Sequence, residues 1–224
     1  MNYLRLTQKE QIWGWFWLAV HVFILPTAIA LAIQLMGLTL TMSNLNIVMF
    51  FVTFAVTVVI FHRYLLVQLK CVRWKTLLWV AIGLGMYNLL TVAASYTTTL
   101  IQPVHINANN ETVKLLLHEQ PILFSIGSII LAPVFEEVLY RGLVFGSMYK
   151  IHPVLGYIGT TVLFAAAHLI GFIGIQDWLS IGVSFIQYIP AGIALSFAYE
   201  RSGTLVAPII MHTAINLIAT LQMR

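Results

Sequence analysis

The sequence predicts an all-α, polytopic membrane protein with about seven transmembrane helices in a single domain. Of its 224 residues, 60% are hydrophobic and 8% are charged, and the mean hydropathy is +0.93. Soluble domains have about 45–50% apolar and about 25% charged residues, so a soluble fold could not cover this much apolar surface. The same composition excludes a disordered chain and a nucleic-acid-binding domain, and it makes a lipid bilayer the expected surroundings.

Seven apolar stretches are long enough to cross a bilayer, since about 20 residues suffice at about 1.5 Å of rise each. They cover residues 13–38, 45–62, 75–97, 121–148, 153–173, 177–199 and 203–222. Pro26 should kink the first span, because it lacks an N–H and crowds the preceding turn. We divide the single domain 1–224 into residues 1–120, with three spans and a loop at 98–120, and residues 121–222, with four spans.

The distribution of Lys and Arg over alternate loops predicts the orientation. With the amino terminus inside, the inner loops contain eight cations and the outer loops two, a bias that follows the positive-inside rule. We therefore expect an N-in, C-out protein of the cell membrane. The inner cations are Arg5, Lys9, Arg63, Lys70, Arg73, Lys75, Lys150 and Arg201, and the outer ones are Lys114 and Arg224.

Polar side chains deep in the spans are the candidates for function. A charge at mid-bilayer costs about 2.5–3.5 kcal/mol on insertion scales, and such residues usually face the bundle interior. Measured along the helices, those of the fourth, fifth and seventh spans overlap in depth, about 13–22 Å from their span ends. A shared site between these three spans is therefore predicted. Its members are Glu136, Glu137, Arg141, His168, His212 and Asn216. The remaining deep histidine, His21, is interpreted as a hydrogen-bonded packing residue.

The spacing of these residues predicts their local geometry. Glu137 and Arg141 are four residues apart, so they share a helix face and can form an ion pair. Glu136 is rotated by about 100° from Glu137 and can face a different cavity. His212 and Asn216 also project side by side. In the fifth span, Phe164 precedes His168 by one turn and is expected to pack on its ring.

Three sequence motifs within residues 121–222 resemble those of a known family. Glu136-Glu137-Val-Leu-Tyr-Arg141 reads E-E-x-x-x-R, Phe164-Ala-Ala-Ala-His168 reads F-x-x-x-H, and His212-Thr-Ala-Ile-Asn216 reads H-x-x-x-N. In this order they resemble the CPBP family of intramembrane proteases, also called the Abi or CAAX-protease and bacteriocin-processing family. The resemblance covers residues 121–222 and makes the last four spans the expected catalytic core.

The resemblance implies a glutamic intramembrane endopeptidase. Glu136 would be the general base, and His168 would be its partner in activating a water. His212 and Asn216 would stabilise the oxyanion, while Glu137, Arg141 and Phe164 would support the site. The residue types suit amide hydrolysis, which needs a base, a held water and donors aimed at developing charge. The implied substrate is a membrane-associated peptide or protein, such as a bacterial leader, pheromone, bacteriocin or CAAX-like tail, and no cofactor is expected.

Several alternatives remain open at this stage. Glu136, His168 and His212 are also a legitimate zinc-ligand set, which would make the enzyme a metalloprotease. Ser184 with His212 is a possible serine–histidine pair, and the Glu137–Arg141 pair could be purely structural. A non-catalytic membrane immunity or scaffold protein could retain the same polar cluster for stability. A proton-coupled transporter would also use buried Glu and His, but no inverted repeat supports it.

Overall fold

The computed structural model describes residues 6–37 and 41–223, and it confirms the all-α class. Within those residues, seven helices are long and apolar enough to cross a membrane, and no strand is present. The helices are α1 (Gln8–Leu35), α2 (Met42–Lys70), α3 (Trp74–Ile101), α5 (Pro121–Tyr149), α6 (Pro153–Phe172), α7 (Trp178–Ser202) and α8 (Val206–Met223), with a shorter α4 (Ala108–Glu119) between α3 and α5. Position 38 of the first predicted span, Arg5 and Arg224 lie outside the described residues. The N-in, C-out orientation stays a prediction.

Two boundaries differ from the sequence prediction for a tertiary reason. Helix α2 continues eight residues beyond the apolar run that ends at 62, because its last turns dock on the start of α8. Buried Gln68 accepts a hydrogen bond from the Leu205 N–H (2.8 Å), and its carbonyl accepts one from Thr204 Oγ1 (2.7 Å). The predicted loop 98–120 contains α4, whose first turn is capped by the Asn107 side chain.

Helices α1 and α5 contain π-helical stretches, at Val20–Ile24 in α1 and at Ile126–Leu131 and Glu137–Phe145 in α5. The first stretch lies just before Pro26, where the sequence predicts a kink, and α-helix resumes at Leu25–Leu35. The second lies just before Pro133. A proline offers no N–H to the carbonyl one turn earlier, and a π turn is one way to accommodate that loss. Such π turns occur frequently at functional sites.

Helix α5 forms the centre of the bundle. Every residue from Glu137 to Phe145 is buried, and α1, α6 and α7 pack around this segment. Helix α8 packs on the preceding part of α5, and α7 also packs along α3. The close approach of α7 to α6 requires a glycine at position 192, since a Cβ there would lie 2.5 Å from Thr161 Oγ1. This approach places the α7 backbone beside the polar residues of α5.

The connection between α3 and α4 is fixed to one face of α7, and we call residues 102–107 the strap. Its three hydrogen bonds to α7 are spaced by about one turn, so they follow a single stripe of that helix. These bonds join Gln102 Nε2 to Ser180 Oγ (3.3 Å), His105 Nε2 to Ser184 Oγ (3.0 Å) and Asn107 Nδ2 to Gln187 Oε1 (2.7 Å). The other end of α4 is held by α2, since Glu119 accepts a hydrogen bond from Ser43 Oγ.

Candidate active site

A cavity of about 650 Å³ runs from the middle of the bundle to the end where α4 lies. The residues proposed from sequence as base, water-activating partner and oxyanion donors all line it. They are Glu136 from α5, His168 from α6, and His212 and Asn216 from α8. The outer part of the cavity is lined by uncharged polar side chains of α2, α3, α4 and α7, among them Asn46, Ser95, Asn109, Asn110 and Gln187.

Glu136 and Glu137 face different surroundings, as the helical rotation between them predicts. Glu136 lines the cavity with a side chain that is 15% exposed, whereas Glu137 is fully buried behind it. Glu136 Oε2 has no hydrogen-bond partner among the described residues, and His212 Nε2 lies 3.7 Å from it. A buried carboxylate oxygen without a donor is costly unless something hydrogen-bonds to it. Water in the cavity can supply that bond.

Glu137 connects Arg141 to His212 through one oxygen atom. Its Oε1 accepts from Arg141 Nη1 at 2.8 Å, which confirms the predicted ion pair, and from His212 Nδ1 at 2.7 Å. Because a carboxylate oxygen only accepts hydrogen bonds, the proton on His212 Nδ1 is assigned. His212 therefore presents its Nε2 atom towards Glu136. The sequence did not predict the Glu137–His212 contact, which joins residues 75 positions apart.

Arg141 also fixes the helices around the site to one another. It is completely buried, donates from Nη2 to the Ala191 carbonyl of α7 at 3.0 Å, and lies 4.7 Å from the centre of the Phe164 ring on α6. The interpretation of Glu137 and Arg141 as a structural pair is compatible with their orienting the site. Removal of either partner from a buried ion pair is strongly destabilising, because the remaining charge is then buried without a counter-ion.

His168 is oriented by its own helix and by two aromatic rings. Its Nδ1 donates to the Phe164 carbonyl at 2.8 Å, so Nε2 is the atom left for the cavity. The predicted packing of Phe164 on His168 is observed, with ring centres 4.6 Å apart. On the other side lies Tyr188, 4.8 Å away and tilted by 35°. This arrangement leaves the imidazole little rotational freedom.

Asn216 is positioned by an irregularity in α5. Within the π-helical stretch the Ala132 N–H bonds to the Gly127 carbonyl, and the next donor in that register would come from Pro133, which has none. The Ser128 carbonyl is thereby left for a side chain, and Asn216 Nδ2 donates to it at 2.8 Å. One N–H of the amide is used in this way, and the other remains for a ligand in the cavity.

Close to the predicted site residues, the cavity is also lined by side chains that the sequence did not assign to the site, among them His21 of α1, Tyr140 of α5 and Tyr188 of α7. His21 is hydrogen-bonded, as expected, to Thr53 of α2. Its exposure to the cavity was missed because the three motifs contain no residue of the first three spans. The signal available in the sequence was its depth within a span. Tyr140, four residues after Glu136, resembled an ordinary buried aromatic.

The structure does not form the alternative serine–histidine pair, and the zinc alternative stays a prediction. Across residues 6–37 and 41–223, no three His, Cys, Asp or Glu side chains lie close enough together to hold a metal ion as they stand, although Glu136, His168 and His212 line one cavity. The Ser184–His212 pairing is wrong: fully buried Ser184 bonds to His105 of the strap, while His212 bonds to Glu137. Ser184 lies near the start of α7, beside the strap, whereas His212 lies beside Glu137 of α5.

Comparison with known proteins identifies the same part of the chain. Residues 118–218 match the family model described as type II CAAX prenyl endopeptidase Rce1-like, and this match confirms the resemblance predicted from the three motifs. It covers α5 to α8, which carry all seven motif residues. Neither the curated proteins nor the solved structures contain a match to the chain.

Proposed function

We propose, starting from the Rce1-like character of residues 118–218, that this multi-pass membrane protein is an intramembrane endopeptidase in which Glu136 activates a water molecule. The observation that carries the proposal is the cavity itself. Glu136, His168, His212 and Asn216 come from three helices and line one space, while the charges of Glu137 and Arg141 are held outside it. A base, a second imidazole and two oriented donors are the parts that amide hydrolysis requires.

In the proposed reaction, Glu136 takes a proton from a water molecule that also bonds to Nε2 of His168. The unpartnered Glu136 oxygen supports this role, since a water there relieves an otherwise unsatisfied carboxylate. His168 supports it because its Nδ1 proton is committed to the Phe164 carbonyl, which makes Nε2 an acceptor for the other water proton. The water oxygen then attacks the carbonyl carbon of the scissile bond.

The tetrahedral intermediate carries its negative charge on the former carbonyl oxygen, which His212 and Asn216 would stabilise. Asn216 offers its second amide N–H. His212 can donate from Nε2 when it is protonated, and Glu137 accepts from the opposite side of the ring. With that proton, and with Glu136 neutral after accepting the proton of the water, the charges of Glu137, Arg141, His212 and the oxyanion sum to zero. Collapse of the intermediate breaks the C–N bond, and the leaving amine takes the proton that Glu136 had accepted.

We propose that the substrate is a peptide or protein segment in or at the membrane. The candidates are those implied by the family resemblance: a leader, pheromone or bacteriocin precursor, or a CAAX-like tail, in a bacterial cell membrane. The lining of the cavity supports an uncharged segment, because Glu136 is the only Asp, Glu, Lys or Arg among the described residues that line it. An acidic side chain entering it would lose hydration without gaining a cationic partner, and a basic one could form an ion pair there only with Glu136, the proposed base.

The decisive experiment compares cells that produce matched amounts of wild type, Glu136→Gln or Glu111→Gln. New peptide termini in membranes and medium are identified by mass spectrometry. Glu136→Gln keeps the size of the side chain but removes the base, so termini that depend on the enzyme should disappear, with a fall in rate of about 10²–10⁴ for the purified protein. Glu111 is exposed on α4 and does not line the cavity, so the same chemical change there should leave the termini unchanged.

Other outcomes separate the alternatives. Identical termini in all three strains, with a cellular effect that survives Glu136→Gln, would favour a membrane immunity or scaffold protein. Loss of cleavage by the purified protein on treatment with a chelator, reversed by zinc, would instead support the metalloprotease alternative.

A further inference from the structure

His21 lies in the same cavity as Glu136 and His168 but comes from a part of the chain that no motif covers. It belongs to α1, nearly a hundred residues before the start of the Rce1-like match. Its side chain lines the cavity, and its ring is 5.7 Å from that of Phe135, the residue that precedes Glu136. The first span thus contributes a polar group to the wall of the site.

The hydrogen bond of His21 to Thr53 fixes which ring nitrogen carries the proton. His21 Nδ1 and Thr53 Oγ1 are 3.2 Å apart, and Thr53 is completely buried. In the parts of the chain that the structure describes, Thr53 Oγ1 has no other hydrogen-bond partner, so its hydroxyl proton is satisfied only by donation to Nδ1. A neutral imidazole that accepts at Nδ1 carries its proton at Nε2. His21 therefore has a donor left for the cavity.

A second contact shows that this arrangement is supported by a rigid framework. One turn earlier in α1, Trp17 Nε1 donates to Thr57 Oγ1 at 2.9 Å, and Thr57 lies one turn after Thr53 in α2. The two antiparallel helices are thus joined by two parallel side-chain bonds. Only the His21 bond ends at the cavity, since neither Trp17 nor Thr57 lines it. The α1 backbone is π-helical at Val20–Ile24, so the local irregularity coincides with the residue that reaches the site.

We propose that His21 binds the substrate, donating a hydrogen bond from Nε2 to a main-chain carbonyl oxygen of the peptide in the cavity. This inference rests on the proposed protease function and adds a substrate-binding residue from outside the catalytic half. An extended peptide that enters the membrane interior loses the water bonded to its carbonyl groups, and each carbonyl without a new donor is costly. A neutral imidazole held by a buried hydroxyl supplies such a donor without introducing a charge.

The position of the proton can be tested without any substrate. Long-range ¹H–¹⁵N spectra of the full chain, labelled at histidine and held in detergent micelles, report which nitrogen of each ring is protonated. The His21 signal is assigned by its loss in His21→Gln. We expect a protonated Nε2 in wild type and in Thr57→Val, and a mixture of the two tautomers in Thr53→Val. A proton on Nδ1 in wild type would overturn the proposal.

The substrate contact is tested with a synthetic peptide that spans a cleavage site lost in Glu136→Gln. His21→Phe keeps a ring of similar size but removes the donor, and it should raise KM by about 3–10-fold, with a smaller effect on kcat. His21→Gln, which carries an amide N–H at similar reach, should recover part of that loss. Trp17→Phe is the matched control, because it removes the parallel bond to α2 but no group in the cavity, and its KM should remain that of wild type.

The outcomes distinguish this inference from the function on which it rests. An unchanged KM in His21→Phe, with normal cleavage by wild type, would overturn the role of His21 alone. An equal rise in KM in Trp17→Phe would also overturn it, since the effect would then come from the α1–α2 packing. Absence of any Glu136-dependent cleavage would overturn the protease function and, with it, the substrate role of His21.

Discussion

The first three spans and the last four differ in how they use their apolar residues. In the most apolar window of each helix, 11–17% of residues are buried within the protein for α1 to α3, against 28–50% for α5 to α8. The later helices therefore bury their side chains against one another, and that half holds the fully buried Glu137–Arg141 pair. The earlier helices turn most of their surface towards lipid. The comparison indicates that the last four spans form the tightly packed interior and that the first three cover it. Single side chains of the first three spans, such as His21, Asn46 and Ser95, still reach the cavity.

The largest expected difference between the two halves concerns a buried charge. Arg141→Met should destabilise the protein by about 3–5 kcal/mol, because it leaves Glu137 buried without its cation. Arg63→Met in α2 removes an exposed cation and should change stability by about 0.5 kcal/mol or less. Thermal unfolding of both variants in one detergent measures the effect. The double variant Glu137→Gln/Arg141→Met should recover part of the loss, and failure to recover any would argue that Arg141 acts through Ala191 and Phe164 instead.

Loss of one asparagine amide from each half of the chain compares the two halves in their effect on kcat. Asn216→Ala removes an amide that lines the cavity, and we expect a decrease in kcat of about 10²–10³, typical for loss of one oxyanion donor. The matched variant is Asn88→Ala in α3, where an exposed amide also donates to a main-chain carbonyl, that of Leu84. Its kcat should equal that of wild type. Equal decreases in the two variants would show that Asn216 acts through folding alone.

The tightness of helix packing in the two halves can be compared by the stability of two glycine-to-alanine variants. Gly192→Ala would place a Cβ 2.5 Å from Thr161 Oγ1 at the α6–α7 contact, and we expect a loss of stability of about 1–3 kcal/mol. Gly85→Ala in α3 meets nothing within 4 Å and should be neutral or stabilising by up to about 1 kcal/mol. The measurement is the unfolding midpoint of each variant in the same detergent. A Gly192→Ala protein as stable as wild type would contradict the tight packing of α6 against α7.

The smallest expected effect is that of pH on the docking of the strap, which links the first three spans to α7 of the last four. Burial lowers the pKa of His105, and Asp177 only partly opposes this shift. The docked state therefore favours neutral His105, and docking should weaken as the pH falls below about 6.5, the ordinary histidine value. Hydrogen exchange of residues 102–119, corrected for its intrinsic pH dependence, should accelerate between pH 7 and pH 5.5. His105→Gln should remove that pH dependence, whereas His62→Gln, at an exposed position on α2, should retain it.

Local spacing was sufficient to predict the pairs formed within one helix. Glu137 with Arg141, and Phe164 with His168, are each four residues apart, and the helical repeat brings such residues together wherever the helix packs. Two bonds that orient site side chains, from His212 to Glu137 and from Asn216 to the Ser128 carbonyl, could not be predicted in this way. They join residues 75 and 88 positions apart, and they depend on how α8 lies against α5 and on the backbone irregularity before Pro133.

The sequence by itself therefore determined the all-α membrane class, the seven spans and the polar residues within them, because hydropathy and helical periodicity are local properties of the chain. Only the tertiary structure decided that Glu136 faces the cavity with an unpartnered oxygen, that Ser184 bonds to the strap rather than to His212, and that α2 extends to Lys70. It also brought His21 of the first span to the cavity that holds the predicted site residues of the last four spans. Each of these depends on which helices become neighbours, and the free energy of that choice comes from contacts between residues far apart in the sequence.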